Sequence, residues 1–182
     1  MNLPNKITMF RVFMIPFFVF FMLTDYVPYS KYIALGIFIV ASLSDTLDGY
    51  IARKYNLISN FGKFMDPLAD KLLVSSALIC FISNPDSKMP VWGAIVIISR
   101  EFIISGFSLV ASDAGVVLAS SWWGMIKTVV QMLMSILLIA DFGGEVINII
   151  ELVFIYAAIA LTVISLVDYL VKNWHVMDDG AM

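Results

Sequence analysis

The sequence predicts an all-α fold, a polytopic membrane protein built as a bundle of six transmembrane helices. Of the 182 residues, 61% are hydrophobic and only 14% are charged, whereas ordinary soluble domains contain about 45 to 50% apolar residues. The apolar stretches are also long and continuous, which is typical of spanning helices and unlike the alternating pattern of barrel strands. Composition and patterning together predict an integral membrane protein.

Six windows are long and apolar enough for spanning helices, which need about 20 residues each. They cover residues 7–23, 31–52, 67–83, 90–111, 121–140 and 148–171. The first window contains Arg11 and Pro16 and has no small-residue cleavage site, so it predicts a retained helix instead of a signal peptide. Because the connections are short, the sequence predicts a single membrane domain over residues 1–182.

Lysine and arginine are distributed unevenly between the two ends of these windows. The richer side carries Lys6, Arg11, Arg53, Lys54, Lys63 and Lys172, and the other side carries Lys31 and Lys88. Cytoplasmic loops of membrane proteins are enriched in these residues. We therefore expect a protein of a bacterial-type plasma membrane whose termini and active site are cytoplasmic. The chain has no basic stripe, so nucleic acid is not an expected partner.

Four aspartates form the most distinctive pattern in the chain. The pattern is Asp45-x-x-Asp48-Gly49-x-x-Ala52-Arg53, then eight residues, then Gly62-x-x-x-Asp66-x-x-x-Asp70. A spacing of three or four residues puts each pair of acids on one face of a helix. Carboxylates at membrane depth are costly, and hard divalent cations such as Mg2+ or Mn2+ prefer carboxylate and phosphate oxygens. The pattern therefore predicts two divalent cations held by the four aspartates against a diphosphate.

Small residues continue the acidic face of the second window. Gly49 lies one turn after Asp45, and Ala52 lies one turn after Asp48. This strip has almost no side chain, so it leaves room for a nucleotide against the helix backbone. Arg53 adds a planar positive group that suits a phosphate or a base edge.

The connection between the second and third windows contains two further signals. Gly62 predicts an unusual turn in a cytoplasmic loop. Pro67 follows Asp66 directly and predicts that the third helix begins there, because proline is favoured at the first position of a helix.

The eight fixed positions of this pattern resemble the signature of the CDP-alcohol phosphotransferases, also called CDP-alcohol phosphatidyltransferases. That signature, D-x-x-D-G-x-x-A-R-x8-G-x-x-x-D-x-x-x-D, occurs here without a gap or a substitution. The resemblance implies a six-helix membrane enzyme that uses two metal ions to cleave the diphosphate of a CDP-linked donor. It also implies that Asp45, Asp48 and Asp66 hold metal, and that Asp70 contacts metal and takes the proton from the acceptor alcohol.

Other residues match positions that contact the CDP donor in the family. These positions are Gly49, Arg53 and Ser59, and the resemblance extends the set of donor-binding candidates to Ala52, Gly62, Asn5 and Thr8. Asn5 and Thr8 are included because the segment Leu3-Pro4-Asn5-Lys6-Ile7-Thr8-x-x-Arg11 is similar to the start of one branch of the family, where it packs near the nucleotide.

Two cationic side chains inside apolar windows are candidates for binding the acceptor alcohol. Arg100 lies about ten residues into the fourth window and Lys127 about seven residues into the fifth, so antiparallel helices bring both to a similar depth. Together with Arg11 they are candidates for binding the phosphate of an acceptor. Arg100 is followed by Glu101, which either orients or neutralises it.

These features resemble the phosphatidylglycerophosphate synthase branch of the family. Its members join glycerol 3-phosphate to CDP-diacylglycerol, giving phosphatidylglycerophosphate and CMP. They carry Arg-Glu in the fourth helix and G-K-x-K-T in the fifth, and this chain departs from that pattern at Met125, where lysine is usual. The expected partners are therefore these two substrates and membrane lipids, and small residues along the helices also allow a homodimer.

Three alternatives remain open from the sequence. The same chemistry could use another acceptor, such as serine, inositol phosphate or phosphatidylglycerol. The acids could instead belong to a cation channel or transporter, which is not an enzyme. Finally, Arg100 could have a purely structural role through an ion pair with Glu101 or Asp168.

Overall fold

The computed structural model describes residues 3–55, 60–113 and 121–174, and these residues are almost entirely helical. The helices are α1 (Leu3–Leu23), α2 (Ser30–Lys54), α3 (Asn60–Ser83), α4 (Val91–Asp113), α5 (Trp122–Ala140) and α6 (Glu145–Asn173). The all-α class is therefore confirmed. Five of the six helices begin within a few residues of the windows that hydropathy predicts.

The start of α3 differs from the prediction. The helix begins at Asn60, so Pro67 lies inside it and Gly62 lies in its first turn. Proline cannot donate a hydrogen bond to the carbonyl of residue 63, but the helix continues through this single missing bond. Gly62 is also not among the described glycines with positive φ. The predictions that Pro67 begins the helix and that Gly62 forms an unusual turn are both wrong.

Four of the described helices are long and apolar enough to cross a membrane. They are Asn5–Leu23, Val91–Ala111, Trp122–Ala140 and Glu145–Asn173. In α2 a shorter apolar stretch covers Ser30–Ser44, and the acidic motif lies in the later turns of the same helix. Large apolar side chains are exposed along the helices, for example Phe13, Leu109 and Val153. Such an outer surface is typical of an integral membrane protein, in which lipid replaces water around the fold.

The chain forms two compact units. The first contains α1, α2, α3 and the end of α5, Ile136–Asp141, and the second contains α4, the rest of α5 and α6. A single domain over residues 1–182 stays a prediction.

In the first unit, α1 packs against both α2 and α3. Phe18 of α1 contacts Phe38 of α2, with ring centroids 5.8 Å apart, and both side chains are buried. The connection between these two helices is fixed by Ser30, whose hydroxyl donates to the backbone oxygen of Thr24 at 2.9 Å. This packing holds the first turns of α1 beside the part of α3 that carries the acids.

In the second unit, α4 and α6 run in the same direction. Trp92 in the first turn of α4 contacts Tyr156 in the first half of α6, with ring centroids 6.5 Å apart. Further along both helices, Ser108 of α4 and Tyr169 of α6 share a hydrogen bond of 2.7 Å. The buried face of α6 recurs every three or four residues, as helical periodicity requires. It comprises Glu151, Ile155, Ala158, Ile159, Thr162, Ser165 and Tyr169.

Candidate active site

The first half of the aspartate motif lies on a continuous helix. Residues Asp45 to Arg53 belong to the last three turns of α2, so the backbone supports the predicted common face of Asp45 and Asp48. The side chains of residues 45–53, which include Gly49 and Ala52, lie outside the described set, and Ser59 lies outside it entirely. Their roles stay predictions.

The second half of the motif is described with its side chains. Asp66 and Asp70 lie one turn apart on α3 and are both half-buried. The hydroxyl of Thr8 on α1 donates a hydrogen bond to Oδ1 of Asp66. Thr8 is fully buried, so the contact fixes one oxygen of this carboxylate from the protein side. Thr8 is a neutral donor, so it adds no positive charge beside this carboxylate.

One face of α1 is polar and buried next to these acids. Asn5, Thr8 and Arg11 recur at intervals of three residues, and their exposed fractions are 6%, 0% and 0%. The sequence predicts that these residues lie near the pocket, and the structure buries all three within the first unit. Thr8 directly contacts a residue of the motif. Sequence spacing could not reveal that contact, because 58 positions separate the two residues.

Lys71, which follows Asp70, has a structural partner. Its ammonium donates to the backbone oxygen of Pro67 at 3.1 Å. The lysine therefore binds to its own helix, which is consistent with its position away from the face shared by Asp66 and Asp70.

In the second unit, the two predicted acceptor cations are brought together by one carboxylate. Oε1 of Glu101 accepts a hydrogen bond from Nη1 of Arg100 at 3.2 Å and another from Nζ of Lys127. Arg100 is 8% exposed and Lys127 is 2% exposed. The sequence suggested that Glu101 orients Arg100, but its contact with Lys127 was missed because the two residues lie on different helices. We name Arg100, Glu101 and Lys127 the basic cluster.

Two residues of α5, Gly124 and Met125, lie close in sequence to Lys127 of the basic cluster. A Cβ atom at Gly124 would lie 3.3 Å from Nη2 of Arg100, so glycine leaves room for the guanidinium group. Met125, the position at which the chain departs from the branch pattern, is 48% exposed. Residues two apart on a helix point in nearly opposite directions, so Met125 and Lys127 lie on different faces of α5.

Asp168, the other proposed partner of Arg100, has different contacts. It pairs with Lys172 at 2.7 Å and accepts a hydrogen bond from Ser121. Of the two structural pairings open from the sequence, the one between Arg100 and Glu101 is present.

The residues that the structure describes with side chains contain no group of three or more potential metal ligands. Asp66 and Asp70 supply two carboxylates, and the other two expected ligands, Asp45 and Asp48, lie on the part of α2 whose side chains are not described. Carboxylate oxygens are nevertheless the donors that hard divalent cations prefer, so the chemistry of the residues fits such ions.

Comparison with known proteins extends the resemblance seen in the motif. A family model for CDP-alcohol phosphatidyltransferase matches residues 1–164. The chain belongs to the CDP-alcohol phosphatidyltransferase family. The match covers α1 to α5 and most of α6, so the helices of both units are part of the family domain.

Several bacterial members of this family are similar to the chain over nearly its whole length. The CDP-diacylglycerol--glycerol-3-phosphate 3-phosphatidyltransferase of Bacillus subtilis is 41% identical over 97% of this chain and 97% of its own. The protein of the same name from Haemophilus influenzae is 38% identical over 93% of this chain and 91% of its own. A probable phosphatidylglycerophosphate synthase of Mycobacterium tuberculosis is 36% identical over 94% of this chain and 81% of its own.

Proposed function

We propose that the protein transfers the phosphatidyl group of CDP-diacylglycerol to glycerol 3-phosphate, giving phosphatidylglycerophosphate and CMP. The family and the names of its relatives support this reaction. The structural observation that carries it is the basic cluster, in which two buried cations share one carboxylate. Serine has no phosphate, so it gives no reason to bury two cations in an apolar helix pair.

The donor is bound along α2 and its neighbours. Gly49 and Ala52 leave the helix surface open to the nucleotide, and Arg53 binds a phosphate or a base edge. The remaining donor-binding residues are Ser59, Gly62, Asn5 and Thr8. The buried position of Asn5 and Thr8 on α1 supports this assignment, because α1 packs against both α2 and α3.

Asp45, Asp48, Asp66 and Asp70 would hold two divalent cations, Mg2+ or Mn2+. Such cations would supply positive charge against the diphosphate and the leaving CMP. Thr8 fixes the carboxylate of Asp66 through its hydrogen bond, so that less reorientation is needed when a cation binds.

Asp70 is the catalytic base. Its carboxylate accepts the proton of a glycerol 3-phosphate hydroxyl as that oxygen attacks the phosphorus on the lipid side of the diphosphate. The new phosphorus–oxygen ester bond forms while the bond to the CMP oxygen breaks, and CMP leaves with the electron pair. Asp70 is half-buried, so a substrate hydroxyl can reach it.

The acceptor phosphate is bound by Arg100 and Lys127 of the second unit. Arg11, the third candidate, belongs to the first unit, and its role stays a prediction. Glu101 is the positioning residue of this site, because its single Oε1 atom aligns both cations. Arginine and lysine together can bind a phosphate through several charge-assisted hydrogen bonds.

The protein spans the plasma membrane with six helices, and its termini and active site are cytoplasmic. Four long apolar helices and the distribution of lysine and arginine support this topology.

The orientation can be tested by labelling introduced cysteines. Cys80 is the only cysteine and is buried, so the parent protein should react little with a thiol reagent. In intact cells, a membrane-impermeant maleimide should label D86C and should label Y55C only after permeabilisation. Labelling of Y55C in intact cells would contradict the orientation.

The reaction is tested with purified protein, CDP-diacylglycerol and Mg2+, by measuring CMP release and the mass of the lipid product. Glycerol 3-phosphate should support turnover, whereas serine, inositol phosphate and phosphatidylglycerol should not. The proposal is wrong if glycerol 3-phosphate is inert or if another alcohol is preferred. Ion flux in protein-containing vesicles without any nucleotide requirement would instead support a channel or transporter.

A further inference from the structure

The buried polar face of α5 continues beyond the basic cluster. Lys127, Gln131 and Ser135 follow one another at four-residue intervals, and their exposed fractions are 2%, 3% and 1%. Residues four apart lie on one face of a helix. Because α5 is otherwise apolar enough to span a membrane, a polar line along one face requires a specific reason.

The bonding of these side chains leaves one atom unexplained. Lys127 donates to Glu101, and the hydroxyl of Ser135 donates to the backbone oxygen of Gln131 at 3.0 Å. Within the part of the chain that the structure describes, Oε1 of Gln131 is buried without a hydrogen-bond partner. A buried acceptor without a donor is energetically costly, so its presence indicates a ligand that brings the donor.

The position of this acceptor relative to the basic cluster suggests what the ligand is. Gln131 lies four residues from Lys127, which corresponds to about 6 Å along the helix axis. A second buried atom without a partner among the described residues, Nε of Arg100, is a donor in the basic cluster. The site therefore offers cationic donors to an anion and, one helical turn away, an acceptor to a hydroxyl. This combination is complementary to a short alcohol that carries a phosphate.

We infer that Gln131 is a specificity-determining residue that recognises the hydroxyl of glycerol 3-phosphate that does not react. One hydroxyl of this substrate becomes the ester oxygen of the product, and the other remains free to donate a hydrogen bond to Oε1 of Gln131. The inference rests on the proposed function, because it requires the phosphate of the same molecule to lie at Arg100 and Lys127. An alcohol without the second hydroxyl leaves Oε1 unbonded and binds more weakly.

The test compares glycerol 3-phosphate with 3-hydroxypropyl phosphate, which has the phosphate and the reacting hydroxyl but lacks the second hydroxyl. The full-length protein should prefer glycerol 3-phosphate by about 10- to 100-fold in kcat/KM, as expected when a buried acceptor loses its donor. Gln131→Met has a similar size but no carboxamide, and it should reduce this preference to within about threefold of unity. The loss should come from a higher KM for glycerol 3-phosphate, while the KM for CDP-diacylglycerol stays unchanged.

Ser135→Ala is the matched control. Ser135 lies one turn further on the same face, but its hydroxyl is bonded within its own helix, so the preference should be retained. Gln131→Met should melt no lower than the parent protein, because it removes a buried polar atom that lacks a partner. If the melting temperature falls in both Gln131→Met and Gln131→Leu, the carboxamide makes a stabilising hydrogen bond within the protein. The inference is then wrong.

Lys127→Met separates this inference from the proposed function. Both alcohols carry a phosphate, so this variant should raise KM for both by the same factor. If it raises neither, the assignment of the phosphate site fails. If it raises both while Gln131→Met keeps the full preference for glycerol 3-phosphate, the role of Gln131 alone is refuted.

Discussion

The acids on α3 and the basic cluster on α4 and α5 hold their charges in opposite ways. Asp66 and Asp70 are half-buried, and Asp66 is fixed by a neutral hydroxyl. Arg100 and Lys127 are almost fully buried, and both are bonded to the carboxylate of Glu101. Under the proposed function, the acids receive divalent cations that bind and leave, whereas Arg100 and Lys127 share an anionic partner that belongs to the protein. The proposal therefore predicts a basic cluster that is already positioned before the substrate binds.

The largest effect is expected from removing the base of the acidic site. Asp70→Asn should lower kcat by about 10²- to 10⁴-fold, because it removes proton transfer while keeping the size of the side chain. Binding of CDP-diacylglycerol should be largely retained. Steady-state kinetics and donor binding measure the two effects separately. Asp86→Asn, which changes an exposed acid in the connection after α3, is the control and should remain fully active. Normal turnover of Asp70→Asn would show that Asp70 is not the catalytic base.

Glu101→Gln tests whether the basic cluster depends on its permanent partner. Removing one partner from a buried group of charges should lower the free energy of unfolding by about 3 to 5 kcal/mol. Glycerol 3-phosphate should restore part of this loss, because its phosphate supplies a negative charge and stabilises the folded state by binding. Thermal melts with and without the ligand measure both effects. Glu145→Gln, which changes an exposed acid in the first turn of α6, is the control. An unchanged melting temperature would show that Arg100 and Lys127 do not depend on the charge of Glu101.

Lys127→Met probes the same cluster from the substrate side. It should raise the KM for glycerol 3-phosphate by about 10- to 100-fold, the range expected for losing a hydrogen bond to a charged group. The KM for CDP-diacylglycerol should not change. Met125→Ala should have neither effect, since Met125 lies on the exposed side of α5. If only the KM for CDP-diacylglycerol changed, Lys127 would contact the donor and not glycerol 3-phosphate.

Gly49→Val tests the open strip beside the acids. A β-branched side chain there should obstruct the nucleotide and raise the KM for CDP-diacylglycerol by about 10-fold, in line with the cost of overpacking a close contact. Gly36→Val is the matched control on the same helix, because a Cβ atom at Gly36 meets nothing within 4 Å. Similar kinetics for the two variants would contradict a nucleotide at residue 49.

The smallest effect is expected at an ion pair outside both sites. Lys31 and Asp141 lie 2.7 Å apart, and their side chains are 48% and 50% exposed. Lys31→Met should change the free energy of unfolding by no more than about 1 kcal/mol, because exposed pairs contribute little. Thermal melts at low and high salt measure it. A loss as large as that of Glu101→Gln would show that burial does not distinguish the two kinds of ion pair.

The sequence predicted the helices well because hydropathy depends on local composition. It misjudged the start of α3, since Pro67 is favoured at a helix start but is also tolerated inside a helix whose neighbouring turns are well formed. The motif also predicted that Asp66 and Asp70 share a face, which follows from spacing within one helix.

Contacts between helices were harder to predict. The bond from Thr8 to Asp66 joins α1 to α3, and the bond from Lys127 to Glu101 joins α5 to α4. Neither is encoded by a local interval in the sequence. Gln131 is different, because its position four residues after Lys127 in an apolar helix is visible in the sequence itself. The inference that a ligand binds there rests on the burial of Gln131 and on its Oε1, which has no partner among the described residues.

Gly93 has a consequence for protein engineering. A Cβ atom at this position would lie 2.5 Å from Cδ1 of Ile159 and 3.1 Å from Cγ of Pro90. An added methyl group therefore displaces the flexible end of the Ile159 side chain, so alanine at residue 93 should loosen the second unit only slightly and should not alter a reacting group. Such a variant would change the stability of the second unit while the catalytic residues remain intact.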